Sequence, residues 1–329
     1  MSIAKSNYLF QQKITFVILI LFALKIYAWY VTHSVAILTD ALEYTINVIS
    51  GLIGLYSLKV SAKPKDINHP YGHGKVEFLS SSIEGVLMII SAFFIIYEAI
   101  NNLNHPHQFN KLDYGIYLVA ITAIVNFILG WITFKKGEKN NSLALIATGK
   151  HFIADTYATL SIILGLILLF FTDWSWIDSV VSLIFSFIII TSGYKILRKS
   201  IAGIMDESDD LLLKKVVVVL EKNRNENWID LHNLRIIKYG TTLHLDGHLT
   251  VPWFFNVHEA HQEIDALSNL VKQNFGATVE LFVHTDGCLD FSCKICTKLD
   301  CDVRKHVFEK RIHWKVENIS INSKHHARL

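Results

Sequence analysis

A polytopic α-helical membrane domain of six transmembrane helices, followed by a small α+β domain ordered α-β-β-α-β, is the fold this sequence predicts. Three observations carry that reading. Hydrophobic residues make up 51% of the 329 and charged residues only 18%, where soluble chains carry about 25% charge. Apolar runs near 13–32, 35–58, 78–101, 112–134, 142–171 and 176–197 each approach the ~20 residues a helix needs to cross a bilayer core. Beyond residue 206 these runs stop and short amphipathic patterns replace them. A buried helix pair in a soluble protein imitates one such run, but not six in succession. The expected organisation is a membrane domain over 1–206, an α+β domain over 207–287 and a cysteine-containing tail over 288–329.

The first run is longer than a signal-peptide h-region, lacks an A-x-A site and is followed directly by a second, so it reads as a retained span. Positive charges orient the set. Lys5 and Lys13 precede the first span; Lys59, Lys63, Lys65 and Lys75 follow the second. Lys135, Lys136 and Lys139 follow the fourth, and Lys195, Arg198 and Lys199 end the sixth. The opposite loops at 31–34 and 172–175 have no Lys or Arg, and 101–113 has only Lys111. The positive-inside rule therefore puts both termini in the cytoplasm. In the soluble part, 211–221 and 257–275 have helical spacing, while 233–238, 243–251 and 278–284 read as strands. With 31 Lys+Arg against 29 Asp+Glu, a net charge of +2 does not suggest a nucleic-acid binder.

Ionisable groups at bilayer depth are costly, so each is a candidate for function. The second span carries Asp40, Glu43 and Asn47 at steps of three and four, on one helical face. The fifth carries His151 and Asp155, again at i, i+4. Two helices each offering two polar groups one turn apart can surround one cation, and imidazole with carboxylate suits Zn2+ and neighbouring first-row ions. The alternative is that these groups only satisfy one another through interhelical hydrogen bonds. Lys25 reads as a snorkelling or structural residue rather than a ligand. Asp178 reads as a cap, and Glu84 and Glu98 carry no assignment.

After the second span come Asp66, His69 and His73 beside Gly72 and Gly74. They make either a second metal site in a tight turn or a capped turn with solvated histidines. The soluble part holds His232, His244, His248, His258, His261, His284 and Asp286. His244 and His248 are an even distance apart, which places them on one side of a strand. So many histidines mean either metal binding or ordinary exposed polarity.

These features together resemble the cation diffusion facilitator family over about residues 10–287. The stretch His33-Ser34-Val35-Ala36-Ile37-Leu38-Thr39-Asp40-Ala41-Leu42-Glu43 is similar to its second-span signature. His69-Pro70-Tyr71-Gly72-His73-Gly74-Lys75-Val76-Glu77 is similar to its H-P-[FY]-G-H-G-[KR]-x-E loop, and His151-Phe152-Ile153-Ala154-Asp155 to its fifth-span H-x-x-x-D. Val283-His284-Thr285-Asp286 resembles the last strand of its metallochaperone-like domain. The resemblance implies homodimers in the membrane lipid that export divalent metal from the cytoplasm in exchange for protons. It implies a transport site of Glu43, Asn47, His151 and Asp155, and a loop site of Asp66, His69 and His73. It also implies a two-metal site of His232, His248, His261, His284 and Asp286, and a charge interlock of Lys75 and Asp206 near the dimer interface.

One departure matters. The second-span pair here is Glu43 and Asn47, where the family has His or Asp followed by Asp. Asn47 offers a neutral carbonyl oxygen, so the site carries −2 with Glu43 and Asp155 ionised and His151 neutral. Zinc is the expected cargo, with cobalt, iron, nickel, cadmium and manganese as alternatives. A transport-impaired metal sensor is the competing function. No H-E-x-x-H occurs and no Ser/His/Asp set is suggested, so an enzyme is not expected. The lack of a His-rich insertion between spans four and five resembles bacterial members, which implies a bacterial inner membrane.

Beyond these motifs, Cys288, Cys293, Cys296 and Cys301 are the chain's only cysteines. In a reducing cytoplasm four thiols in this spacing favour a zinc site over disulfides, with an iron–sulfur cluster or free thiols as alternatives. The last residues, Lys324-His325-His326-Ala327-Arg328, are expected to be a mobile tail.

Overall fold

A computed structural model describes residues 2–32, 35–104, 115–172, 176–240, 242–276 and 279–327. It divides into two compact units, Met1–Met205 and Asp206–Leu329.

The first unit consists of six long helices: α1 Ile3–Thr32, α2 Val35–Ser61, α3 Val76–Asn104, α4 Gly115–Asn140, α5 Leu143–Thr172 and α6 Trp176–Ile204. Among the described residues, Ile3–Tyr27, Val76–Asn101 and Ser179–Ile204 are long and apolar enough to cross a membrane. Two helix pairs meet backbone to backbone through glycine. A Cβ on Gly193 of α6 would stand 2.9 Å from the Gly85 carbonyl oxygen of α3, and one on Gly149 of α5 would stand 2.8 Å from that of Gly130 on α4. Small residues at such crossings let helices pack closely where lipid supplies no hydrophobic drive. Large side chains point outward instead: Phe94 is 69% exposed and Phe187 67%. Polar groups turn inward. Glu77 on α3 accepts hydrogen bonds from Ser61 and Ser142, and Glu84, two turns further along, accepts one from Thr148.

The second unit has the order α7 Asp210–Lys222, β1 Asp230–Tyr239, β2 Thr242–Val251, α8 Val257–Phe275, β3 Val279–Gly287, then a short 3-10 turn at Asp290–Lys294 and α9 Val316–Ile319. β1 and β2 form an antiparallel hairpin; β3 joins β2 in parallel after the α8 crossover. Asp209 caps α7 by accepting from the Leu212 amide, and Asn256 with Glu259 forms a reciprocal capping box on α8. Leu213, Val216, Leu220, Leu231, Leu245, Leu249, Leu267 and Val271 fill the space between sheet and helices.

The tail departs from expectation. Residues 288–327 belong to this second unit, because Trp314 and Ile319 enter the same apolar core. Arg224 stacks 4.2 Å over the Trp314 ring and donates to the Ile312 carbonyl. The terminal segment docks at His325, which is 3% exposed and whose amide and ring both bond Asp230. A polar and basic composition concealed two apolar anchors. Arg328 lies outside the described residues.

Candidate metal centres

In the first unit, α2 and α5 bring three of the expected ligands together. The Asn47 amide nitrogen donates to Asp155 Oδ2 at 2.6 Å, and its Oδ1 lies 3.0 Å from His151 Nε2. His151 Nε2 is 3.9 Å from Asp155 Oδ1. In this arrangement Asn47 Oδ1 accepts, so Nε2 carries the imidazole proton. His151 and Asn47 are both buried. A cation entering here must displace the Asn47 bridge and take the nitrogen that the bridge now occupies. Side chains of Asp40, Glu43 and Asp178 lie outside the described residues. Lys25 does not snorkel. It is buried, with Nζ 4.4 Å from the centre of the Tyr44 ring, whose hydroxyl donates to Asn126.

The loop between α2 and α3 folds Asp66, His69 and His73 into a cluster whose ligand atoms all lie within 4.8 Å of one another. His69 Nδ1 is 3.1 Å and His73 Nε2 3.3 Å from the Asp66 carboxylate. Gly72, at φ +92°, makes the turn that returns His73 to Asp66. Desolvation opposes ionisation of Asp66. The His69 amide and the two imidazoles outweigh it and hold its carboxyl below the ordinary value.

Sheet register assembles the third cluster. His232 on β1 stands opposite His248 on β2, and His248 stands beside His284 on β3, so the three form one row across the strands. Asp286, two residues along β3, reaches all of them. It lies 3.6 Å from His232 Nε2, 3.3 Å from His248 Nδ1 and 3.6 Å from His284 Nε2. His232, His248 and Asp286 have ligand atoms mutually within 4.8 Å. Behind them Asp230 lies 3.4 Å from His232 Nδ1 and also holds His325. Burial alone would raise the Asp230 carboxyl, but the His232 imidazole beside it and the hydrogen bonds from His325 win and hold it far below its usual range. A carboxylate behind a ligating imidazole fixes its tautomer and raises its basicity.

His261 does not join this row. It lies exposed on α8, 3.8 Å from Asp265, because the opposite face of α8 carries Leu267 and Val271 into the core. His244 pairs instead with Glu280. The four cysteines form no disulfide and line one cavity, and burial raises the thiols of Cys288 and Cys296. Sequence reasoning missed Asp230 with His325, which are 95 residues apart and carry no spacing signal. It left Glu84 unassigned, although a carboxyl in an apolar run was itself a signal.

A model of the cation efflux transmembrane domain matches residues 13–205, and one of the cation efflux protein cytoplasmic domain matches 209–288. The chain belongs to the cation diffusion facilitator family. It is a helical multi-pass membrane protein with a small α+β domain, from a family that carries divalent metal cations out of the cytoplasm. An uncharacterized transporter of Synechocystis sp. is 29% identical over 76% of this chain and 81% of its own. Manganese efflux system protein MneP of Bacillus subtilis is 26% identical over 82% of this chain and 92% of its own. A cadmium, cobalt and zinc/H(+)-K(+) antiporter of Bacillus velezensis is 31% identical over 54% of this chain and 56% of its own.

Proposed function

We propose that the chain exports zinc, or a neighbouring divalent transition metal, from a bacterial cytoplasm in exchange for protons. Six spans with both termini inside, a homodimer, and alternating access complete the proposal. The observation that carries it is the buried meeting of Asn47 with His151 and Asp155 across α2 and α5. Glu43, one turn before Asn47, supplies the fourth ligand. With Glu43 and Asp155 ionised the site balances one divalent ion.

Proton coupling follows from competition. A ligand must be deprotonated to hold metal, so the empty site holds His151 as imidazolium; metal entry expels its Nε2 proton and leaves Nδ1–H, and metal departure lets the Nε2 proton return. The Asn47 bridge stands in for the metal between turnovers by neutralising the donor and acceptor sites of its two neighbours. Asp66, His69 and His73 gather ions at the cytoplasmic mouth, and the His232–His248–His284 row with Asp286 responds to cytoplasmic metal. Relatives named for manganese and for cadmium, cobalt and zinc bracket the cargo. Zinc comes first because His151 favours it over the all-oxygen sets that suit manganese.

The test is metal uptake into sealed proteoliposomes containing a pH reporter, with zinc, cobalt, manganese and iron supplied in turn. Zinc flux opposed by proton flux, and absent in Asp155→Ala, supports the reading. A second reading, a transport-impaired sensor, is favoured by the neutral amide at Asn47, and no flux of any metal from wild type with flux gained in Asn47→Asp would support it.

A further inference from the structure

The cysteine cluster lies apart from both histidine sites and outside the matched family regions except for Cys288. Its placement begins at the sheet. Cys288 follows β3, and its amide donates to the Val251 carbonyl at the end of β2, 2.9 Å away. The 3-10 turn carries Cys293, the buried Cys296 follows, and Cys301 opens the turn closed by the Arg304 amide. All four line one cavity of about 20 Å³, closed on the sheet side by Ile229, Pro252 and Phe254. That is room for a single ion or water, not for an organic ligand.

Three details suit an ion better than packed thiols. Backbone amides of Trp253 and Lys298 donate to the sulfurs of Cys288 and Cys296, although burial outweighs them and disfavours thiolate until a cation is present. The Arg304 guanidinium donates to the carbonyls of Cys293, Cys296 and Lys298 at 2.8, 3.1 and 2.6 Å, holding the loop curved around the cavity. It also sets a positive charge beside a cluster that becomes anionic when its thiols ionise. None of the four is in a disulfide.

We propose that Cys288, Cys293, Cys296 and Cys301 bind one zinc ion as a tetrathiolate, a structural site that fastens the C-terminal extension to the sheet. On loading, the four thiols release four protons and leave a site of net charge −2, which Arg304 partly offsets. Zinc–sulfur bonds of about 2.3 Å require sulfurs about 3.8 Å apart. Among the described residues only the two His/Asp clusters already have three or more ligand atoms within 4.8 Å. The sulfurs therefore close inward on the ion, drawing 293–301 against the ends of β2 and β3. The same extension goes on to bury Trp314 and to set His325 behind Asp230 and His232. Zinc at the cysteines thus supports the histidine row without touching it.

The experiment uses the full-length protein in detergent, dialysed against zinc-free buffer. Wild type is titrated with p-hydroxymercuribenzoate while released zinc is measured, and a parallel sample is loaded with Co2+. The expected result is one retained zinc per chain, released in step with modification of four thiols, and a thiolate-to-cobalt charge-transfer band. That band persists in His248→Ala and in Asp155→Ala and is lost in Cys293→Ser/Cys296→Ser. Wild-type protein with no thiol-linked zinc and no charge-transfer band overturns the proposal. So does the visible absorption of an iron–sulfur cluster in the protein as isolated. Both of these outcomes are measured on wild type, so a cysteine variant that fails to fold does not decide the matter.

Discussion

The two units of this chain solve the same packing problem with opposite polarity. In the second unit Leu231, Leu245 and Leu249 are buried, while Lys214, Glu259 and Lys272 ring the outside. In the first, Phe94 and Phe187 face out, while Asn7, Gln11, Glu77, Glu84 and His151 are buried. Lipid accepts apolar surface without penalty but offers nothing to a carboxylate or an amide, so polar groups gather inside. A buried polar residue in the first unit is therefore informative about function, whereas an exposed histidine in the second is ordinary. In the soluble unit only the strand register distinguishes a metal row from decoration.

The largest expected effect tests the inward polarity. His151→Ala should lower metal flux by more than the ~10–100-fold that losing an outer partner of a metal ligand costs, while the protein still elutes as a folded species. Flux at the wild-type rate would remove His151 from the transport site. Next, truncation should hurt where each unit hides its apolar groups and nowhere else. Leu249→Ala should cost ~2–5 kcal/mol, and Phe94→Ala, on the exposed side of α3, no more than ~0.5 kcal/mol. Thermal unfolding of the detergent-solubilised chain compares them, and equal costs would break the contrast.

A smaller effect sharpens the comparison within the second unit. Asp230→Asn should weaken metal binding at the His232–His248–Asp286 cluster by ~10-fold, read by calorimetry on a background of Asp155→Ala. Unchanged affinity would make Asp230 a fastening for His325 only. The smallest concerns Asp209, which caps α7 and pairs with Lys238 at 2.5 Å. Partial burial opposes its ionisation, but the Lys238 ammonium and the Leu212 amide hold its carboxyl below its ordinary 3.8. Because the folded value is the lower one, its stabilisation is complete above about pH 5 and fades as pH falls through the folded value. Asp209→Ala should cost ~1 kcal/mol at neutral pH and converge on wild type in acid. A gap that widens in acid would reverse the sign.

How much could be read in advance follows the same division. The i, i+4 pair His151/Asp155 and the approach of Asn47 were legible because helix periodicity fixes a face and lipid makes polar residues costly. The loop cluster was legible because Asp66, His69 and His73 are close in sequence. His261 misled because neither its residue type nor its spacing reveals which face of α8 meets the core. The docked tail was hidden for a related reason: Trp314 and Ile319 are isolated apolar residues in a polar stretch, and only the assembled sheet offers them a place. The Asp230–His325 contact depends on the whole fold and on no local pattern.

In the proposed mechanism, cargo passes through the α2–α5 site while the histidine row only senses it. The most direct measurement is zinc and proton flux in proteoliposomes for wild type, Asp155→Ala, Asn47→Asp and His248→Ala/Asp286→Ala. Opposed zinc and proton fluxes are expected in wild type, none in Asp155→Ala, and flux retained in the histidine-row variant. No flux from wild type with flux gained in Asn47→Asp would contradict it, and would make the soluble unit the working part of the molecule.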